Sequence, residues 1–360
     1  MNARLEELGW DLAWDELARE SGAASGAEPR LQPGRVAAEH RDRYHLLTAD
    51  GERDAAFESR HQNRPAVGDW VLWEEASLRA DGLALVRELL PRRAAFVRHV
   101  AGEDTTAQVV AANIDVLFVV TSIGANLNPR RLERYLALAW ESGALPVVVV
   151  TKIDLERPDD ATERALAEVA LGTPVHWVSS YTGEGLDDVR AHLARGRTGA
   201  LLGSSGVGKS SLVNALIGAE QLRVSGIRVD GKGRHTTTHR ELVLLPSGGC
   251  LIDTPGMRAL KLWNAEDGIA QTFADVTSLT ESCRFRDCRH EAEPGCAVRA
   301  AVDSGRLGPD RVRSYLKLRA EEEHLVRRQS VLARRSEKQR IKTATRGYRE
   351  ALERKGKMER

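Results

Sequence analysis

Gly203-Ser-Ser-Gly-Val-Gly-Lys-Ser210 decides the fold. The octapeptide satisfies G-x-x-x-x-G-K-[ST] and lies between a predicted strand that runs into Gly203 and a predicted helix that begins at Lys209. Glycines let the backbone curl so that successive N–H groups face phosphate oxygens, and the helix N-terminus adds a favourable dipole. Gly203, Ser204, Ser205, Gly206, Val207, Gly208, Lys209, Ser210 and Ser211 are therefore assigned to phosphate binding, with Lys209 reaching the β and γ phosphates and Ser210 ligating Mg²⁺. The central part of the chain is thus an α/β P-loop domain.

Working outward, Leu251-Ile-Asp-Thr-Pro-Gly256 ends an apolar strand in a carboxylate and places a glycine three residues on. Asp253 is expected to hold Mg²⁺ through a water, and the Gly256 N–H to sense a γ-phosphate. Upstream, Val150-Thr-Lys-Ile-Asp154 ends another apolar strand. A carboxylate there accepts two hydrogen bonds from guanine that adenine cannot donate, so Asp154 specifies GTP over ATP, and Lys152 lies along the base. Thr151 stands where Asn is commoner, a hydroxyl that can do part of an amide's work in bracing the phosphate loop. With Ile153, these residues form the guanine motif. Ser179 and Ser180 follow the next strand, placed to close over the base.

The guanine segment precedes the phosphate loop here, whereas it follows it in ordinary GTPases, so the domain reads as circularly permuted. Around it the chain alternates strand and helix: strands at 116–121, 147–151, 175–179, 242–245 and 250–253, helices at 130–140 and 186–193. Residues 30–100 carry short alternating runs broken by turn residues, including Val67-Gly-Asp-Trp-Val-Leu-Trp73, which fits a small antiparallel barrel. Residues 1–29 read as an extension: a short helix with Leu5, Leu8, Leu12 and Leu17 at helical spacing, then a flexible linker from Ser21. The permuted domain is taken as 101–262, a mostly helical metal-binding domain as 263–325 and a basic tail as 326–360.

Three of the four cysteines fall together with a histidine in Cys283-x4-Cys288-x-His290-x5-Cys296. In a protein with no export signal this clustering points to a metal site, and three thiolates with one imidazole close a tetrahedral Zn²⁺ shell, structural and not catalytic. Cys250 lies apart, in a predicted strand, as a packing residue.

The permuted order of TKID, GSSGVGKSS and DTPG, the Gly233-Arg-His-Thr-Thr-Thr238 segment and the Cys/His spacing together resemble the RsgA family, also called YjeQ or YloQ, over residues 31–300. That resemblance implies an N-terminal oligonucleotide-binding (OB-fold) barrel, a permuted GTPase core and a C-terminal zinc domain that dock on the small ribosomal subunit late in its maturation. It also implies subunit-stimulated hydrolysis of GTP to GDP. The position after Asp-x-x-Gly, where many GTPases carry a water-orienting Gln, holds Met257, and the family assigns the catalytic role to the histidine that matches His235. Thr237, of the adjacent Thr236–Thr238 run, is taken to complete the Mg²⁺ shell. On this reading the partners are GTP or GDP, the small subunit and its rRNA, with the chain monomeric.

Composition agrees with a soluble multidomain protein. At 360 residues the chain has room for two or three cores, and 29% charged with 42% hydrophobic residues is a globular balance. The longest apolar stretch, 143–150, is too short to span a bilayer, and Arg4, Glu6, Glu7 and Asp11 interrupt any signal-peptide core, so no membrane and a cytoplasmic location are expected. The net charge of +1 conceals a basic tail: residues 311–360 hold 17 Lys and Arg against 7 Asp and Glu, a pattern suited to a polyanion. Two other readings use the same residues: an RNA-binding scaffold that nucleotide merely stabilises, and an ATPase or small-molecule kinase, which Asp154 disfavours.

Overall fold

The computed structural model describes residues 2–25, 31–40, 43–57, 64–75, 82–99, 107–218, 241–253 and 265–327. They divide into two compact units, one drawn from residues 1–261 with 267–274 and the other from residues 262–266 with 275–360.

In the first unit, β1 (Gln32–His40), β2 (Arg43–Thr48), β3 (Gly51–Phe57), β4 (Trp70–Glu74) and β5 (Ala84–Leu89) pair in the order β1-β2-β3-β5-β4, and β4 returns to β1. Every pair is antiparallel except β3 with β5. This is the expected closed five-stranded barrel, and closure removes the free sheet edges. Val36, Tyr44, Leu46, Val71, Trp73 and Val86 fill its interior. Alternation along β4 turns Trp70 to the outside, yet Trp70 is only 1% exposed.

Its cover is the N-terminal segment, α1 (Ala3–Glu7) and α2 (Leu12–Ser25). Trp10 meets Trp70 edge-on at 4.8 Å between ring centroids, and Trp14 lies 6.3 Å from the same ring. The expected flexible linker from Ser21 is corrected: α2 continues to Ser25. Alanine's high helix propensity offsets the single Gly22, and the Asp11 carboxylate accepts the Trp14 N–H at 3.0 Å as a cap. The anchors differ as well, since Leu5 and Leu8 are buried but Leu12 is 69% exposed, and the tryptophans carry the docking.

The buried Arg35 of β1 donates to the carbonyl oxygens of Leu8, Gly68 (3.3 Å) and Asn113 (3.0 Å). One guanidinium thereby satisfies backbone groups from the N-terminal helices, a barrel loop and the start of the α/β region. Strands β6 (Ala95–His99) and β7 (Ala107–Ala112), on either side of residue 100 where barrel and α/β region were expected to part, pair antiparallel.

The α/β sheet contains β8 (Val116–Ser122), β9 (Leu145–Thr151), β10 (Val175–Val178), β11 (Thr198–Leu202), β12 (Glu241–Leu244) and β13 (Cys250–Asp253), in the order β10-β9-β8-β11-β13-β12. Only β12 runs antiparallel to its neighbour β13, and Glu241 of β12 pairs with Ala38 of β1, joining sheet and barrel. The continuous apolar runs of β8 and β9 are those of strands covered on both faces. Helices α3 (Pro129–Glu141), α4 (Asp160–Val169), α5 (Leu186–Ala191) and α6 (Lys209–Ile217) connect them. The first, α3, starts where the Asn128 side chain accepts the Arg131 N–H and Pro129 takes the first position. Because β8, β9, β10, β11 and β13 are parallel, their C-terminal residues Ser122, Thr151, Val178, Leu202 and Asp253 lie at one edge of the sheet, where such folds bind ligands.

The second unit is helical, including Ala297–Asp303 and residues 309–327, around an irregular segment that holds the cysteines. Val298, Ala301, Tyr315 and Leu318 are buried, and Arg311 binds both carboxylate oxygens of Asp275 at 3.0 Å. No helix among the described residues is long and apolar enough to cross a membrane.

Candidate functional site

The phosphate loop occupies the turn from β11 to α6. Gly206 and Gly208 adopt φ of 79° and 91°, a left-handed backbone open to glycine at little cost. A Cβ at Gly203 would lie 2.3 Å from the Val120 carbonyl oxygen, so only glycine passes this close to β8. Lys209 Nζ donates to the carbonyl oxygens of Gly203 and Ser204 at 2.7 and 2.6 Å, folded over the loop that it is expected to serve. The Ser204 hydroxyl is buried with no hydrogen-bond partner among the described residues, whereas Ser205, Ser210 and Ser211 are exposed. Val207 is buried and fastens the loop to the core under the sheet.

The guanine motif touches this loop directly. Thr151, 1% exposed, holds its hydroxyl 2.5 Å from the Val207 carbonyl oxygen and 3.1 Å from that of Thr121. Lys152, at φ 67°, donates through Nζ to the Gly206 carbonyl oxygen at 2.6 Å. Ile153 is buried, and the exposed Asp154 accepts a 2.6 Å hydrogen bond from the Ser179 hydroxyl. Ser179 is fully buried and accepts in turn from the N–H groups of Tyr181 and Thr182 at 3.2 and 3.1 Å. Its side chain therefore orients Asp154 from within the structure, while the half-buried Ser180 follows at the surface. Sequence reasoning passed over the pair that ties the two loops outside this bond: Arg157 donates to both Glu184 carboxylate oxygens through its two terminal nitrogens, at 2.6 and 2.9 Å. Each partner stabilises the other's charged form, which raises the Arg157 pKa and lowers that of Glu184.

Asp253 stands exposed at the end of β13, beside β11 in the sheet. Its carboxylate and the Ser210 hydroxyl are hard oxygen donors of the kind Mg²⁺ takes. His235, Thr236–Thr238 with Thr237, Gly256 and Met257 lie outside the described residues. Cys250 is buried, and burial pushes its thiol pKa up, as a packing residue requires.

In the second unit, the ligand atoms of Cys283, Cys288, His290 and Cys296 all lie within 4.8 Å of one another. Cys283 Sγ and Cys296 Sγ are 4.0 Å apart, and His290 Nδ1 is 3.6 and 3.5 Å from them. Thiolates ~2.3 Å from a tetrahedral Zn²⁺ stand about 3.8 Å apart, so the donor set and its spacing fit that ion. His290 reaches its place with φ of 64°. Glu293, which the sequence did not single out, accepts the N–H of Arg289 at 2.8 Å and those of Glu291 and Ala292 at 3.0 Å. These backbone donors hold its carboxyl at about 2, and the carboxylate shapes the loop that carries the imidazole. A carboxylate that gathers three local N–H groups leaves no signature in residue spacing, which is why only the folded loop reveals it.

The chain is similar to known proteins. A family model described as RsgA GTPase matches residues 89–263. The small ribosomal subunit biogenesis GTPase RsgA of Streptomyces coelicolor is 46% identical over 342 residues, covering 92% of this chain and 90% of that protein. Its counterpart in Opitutus terrae is 43% identical over 361 residues, covering 96% and 97%. Among solved structures, YjeQ from Thermotoga maritima superposes with a TM-score of 0.61 at 26% identity, covering 80% of this chain and 97% of that one. YloQ, described as a circularly permuted GTPase, gives 0.60 at 27% identity, covering 82% and 96%. With relatives this similar over nearly its whole length, the chain belongs to the RsgA GTPase family.

Proposed function

We propose that this chain binds GTP at the sheet edge formed by the phosphate loop and the TKID segment, and that docking on the small ribosomal subunit accelerates its hydrolysis to GDP and phosphate. Membership of the family makes the chain a ribosome-biogenesis GTPase, and the names of its relatives supply the small subunit as partner. The observation that supports the site assignment is the direct bonding of Thr151 and Lys152, chain neighbours of Asp154, to Val207 and Gly206 of the phosphate loop.

In this reading the backbone N–H groups of residues 203–211 cradle the phosphates, and Lys209 leaves its loop carbonyls for the β and γ phosphates. Asp154, held by Ser179, accepts the ring N–H and the exocyclic amine of guanine, with Lys152 along the base, Ile153 anchoring the segment and Ser180 at the rim. Ser210, Thr237 and, through a water, Asp253 would hold Mg²⁺, which when bound would supply neutralisation of the phosphate charge. His235 orients the attacking water, since Met257 cannot, and Gly256 reports the γ-phosphate. Cys283, Cys288, His290 and Cys296 hold a structural zinc. Contact with rRNA through the barrel, the zinc segment and the basic tail, a monomeric state, a cytoplasmic location and the division at residues 29, 100, 262 and 325 belong to the same proposal.

The test is GTP turnover by the purified chain, alone and with isolated small subunits, with ATP and large subunits as controls. Stimulation by small subunits alone is the expected result. Tight GTP binding without stimulation would leave the RNA-binding scaffold as the better description.

A further inference from the structure

Arg157 lies three residues beyond Asp154 in the same loop, and its guanidinium is held by Glu184. Both terminal nitrogens are engaged along one edge, Nη1 to Oε1 at 2.6 Å and Nη2 to Oε2 at 2.9 Å. The pair stands in solvent, with the two side chains 65% and 46% exposed, so no packing would hold Arg157 there without Glu184. Glu184 is itself fixed to the base-reading loop, because its carbonyl oxygen accepts the Ser179 N–H at 3.0 Å while the Ser179 hydroxyl donates to Asp154. The charge of Asp154 also reaches Arg157, adding to the effect of Glu184 in raising its pKa.

A guanidinium edge presents two parallel N–H donors to a carboxylate, the same pattern that guanine presents through its ring N–H and exocyclic amine. A flexible arginine released beside Asp154 is therefore a competitor for the acceptor that the base needs. We propose that Glu184 is a positioning residue for nucleotide recognition, which sequesters Arg157 and so leaves the Asp154 carboxylate available to guanine. The inference rests on the assignment of Asp154 as the guanine reader.

Glu184→Gln, Arg157→Gln and the double variant, each checked for an unchanged melting temperature, would be titrated with a fluorescent GDP analogue and with GTP. We expect Glu184→Gln to weaken both nucleotides about fivefold, the scale of one exposed charge pair, Arg157→Gln to change little, and the double variant to recover the parent affinity. The defect of Glu184→Gln should shrink at high salt, because the competing contact is an exposed ion pair. An unaltered affinity in Glu184→Gln, or a double variant as weak as Glu184→Gln, would overturn the proposal, the second result making Glu184 a loop support only. Asp154→Asn, titrated with xanthosine triphosphate, separates the two levels. Failure to gain that nucleotide removes Asp154 as the reader, whereas a gain beside an unaffected Glu184→Gln removes only the role of Glu184.

Discussion

Thr151 places its hydroxyl 2.5 Å from the carbonyl oxygen of Val207, which joins the guanine motif to the phosphate loop by a direct buried hydrogen bond. The residue stands where an amide is commoner, and the hydroxyl supplies the donor the loop needs. Thr151→Val keeps the shape and removes the donor, leaving the Val207 carbonyl unpartnered. We expect GDP and GTP affinity to fall about tenfold, or ~1.4 kcal/mol, with the preference for guanine over adenine retained. Titration of the variant with all four nucleoside diphosphates checks both halves, and a lost guanine preference would contradict the division of labour between Thr151 and Asp154.

Arg35 should matter to stability far from the nucleotide. Its guanidinium serves carbonyl oxygens of Leu8, Gly68 and Asn113, and Arg35→Leu would take this donor from all three, with only that of Gly68 keeping the Asn113 side-chain amide at 3.1 Å. The expected loss is about 3 kcal/mol, seen as a lower denaturant midpoint for the first unit. Arg35→Lys, with a shorter reach and no planar fork, should recover only part of it.

Removal of metal should act on the second unit. With a strong chelator, or in Cys296→Ala, we expect zinc content to fall to zero and the circular dichroism of residues 275–327 to lose its cooperative melting, while nucleotide binding by the first unit persists. Cys296 has a second duty in accepting the Arg299 N–H at the start of the 297–303 helix, so its loss should be the most disruptive of the three thiols. Cys250→Ala should leave the zinc content unchanged, as measured by elemental analysis.

A pH dependence follows from His176 and His192, whose Nε2 atoms lie 2.8 Å apart. Burial chiefly, and the neighbouring His176, lower the pKa of His192 below its ordinary 6.5. A histidine depressed in the folded state binds its proton more readily unfolded, so its contribution to stability is present above pH ~6.5 and is lost as pH falls below that value. The melting temperature should therefore drop between pH 7.5 and 5.5, and His192→Phe, which packs against Phe118 without titrating, should show a smaller drop. Equal slopes in the two proteins would assign the pH effect to other groups.

The sequence by itself determined the parts whose signal is local. The curl of Gly203 to Gly208, the carboxylates that end apolar strands at Asp154 and Asp253, the permuted order and the Cys/His spacing all depend on neighbours within a few residues, and each can be read without knowing what packs against it. The barrel was legible for the same reason, because alternation and turn residues repeat along the chain.

Tertiary structure alone decided where distant segments meet. Nothing in the N-terminal spacing distinguishes Trp10 and Trp14 as anchors from the leucines around them, since the choice depends on the outer face of Trp70, contributed by a strand more than fifty residues away. The bond from Thr151 to Val207, the hold of Ser179 on Asp154 and the grip of Glu184 on Arg157 likewise join residues from different loops. Side-chain hydrogen bonds of this kind require angstrom-level placement of both partners, which the parallel order of the sheet provides and which no periodicity of the chain encodes.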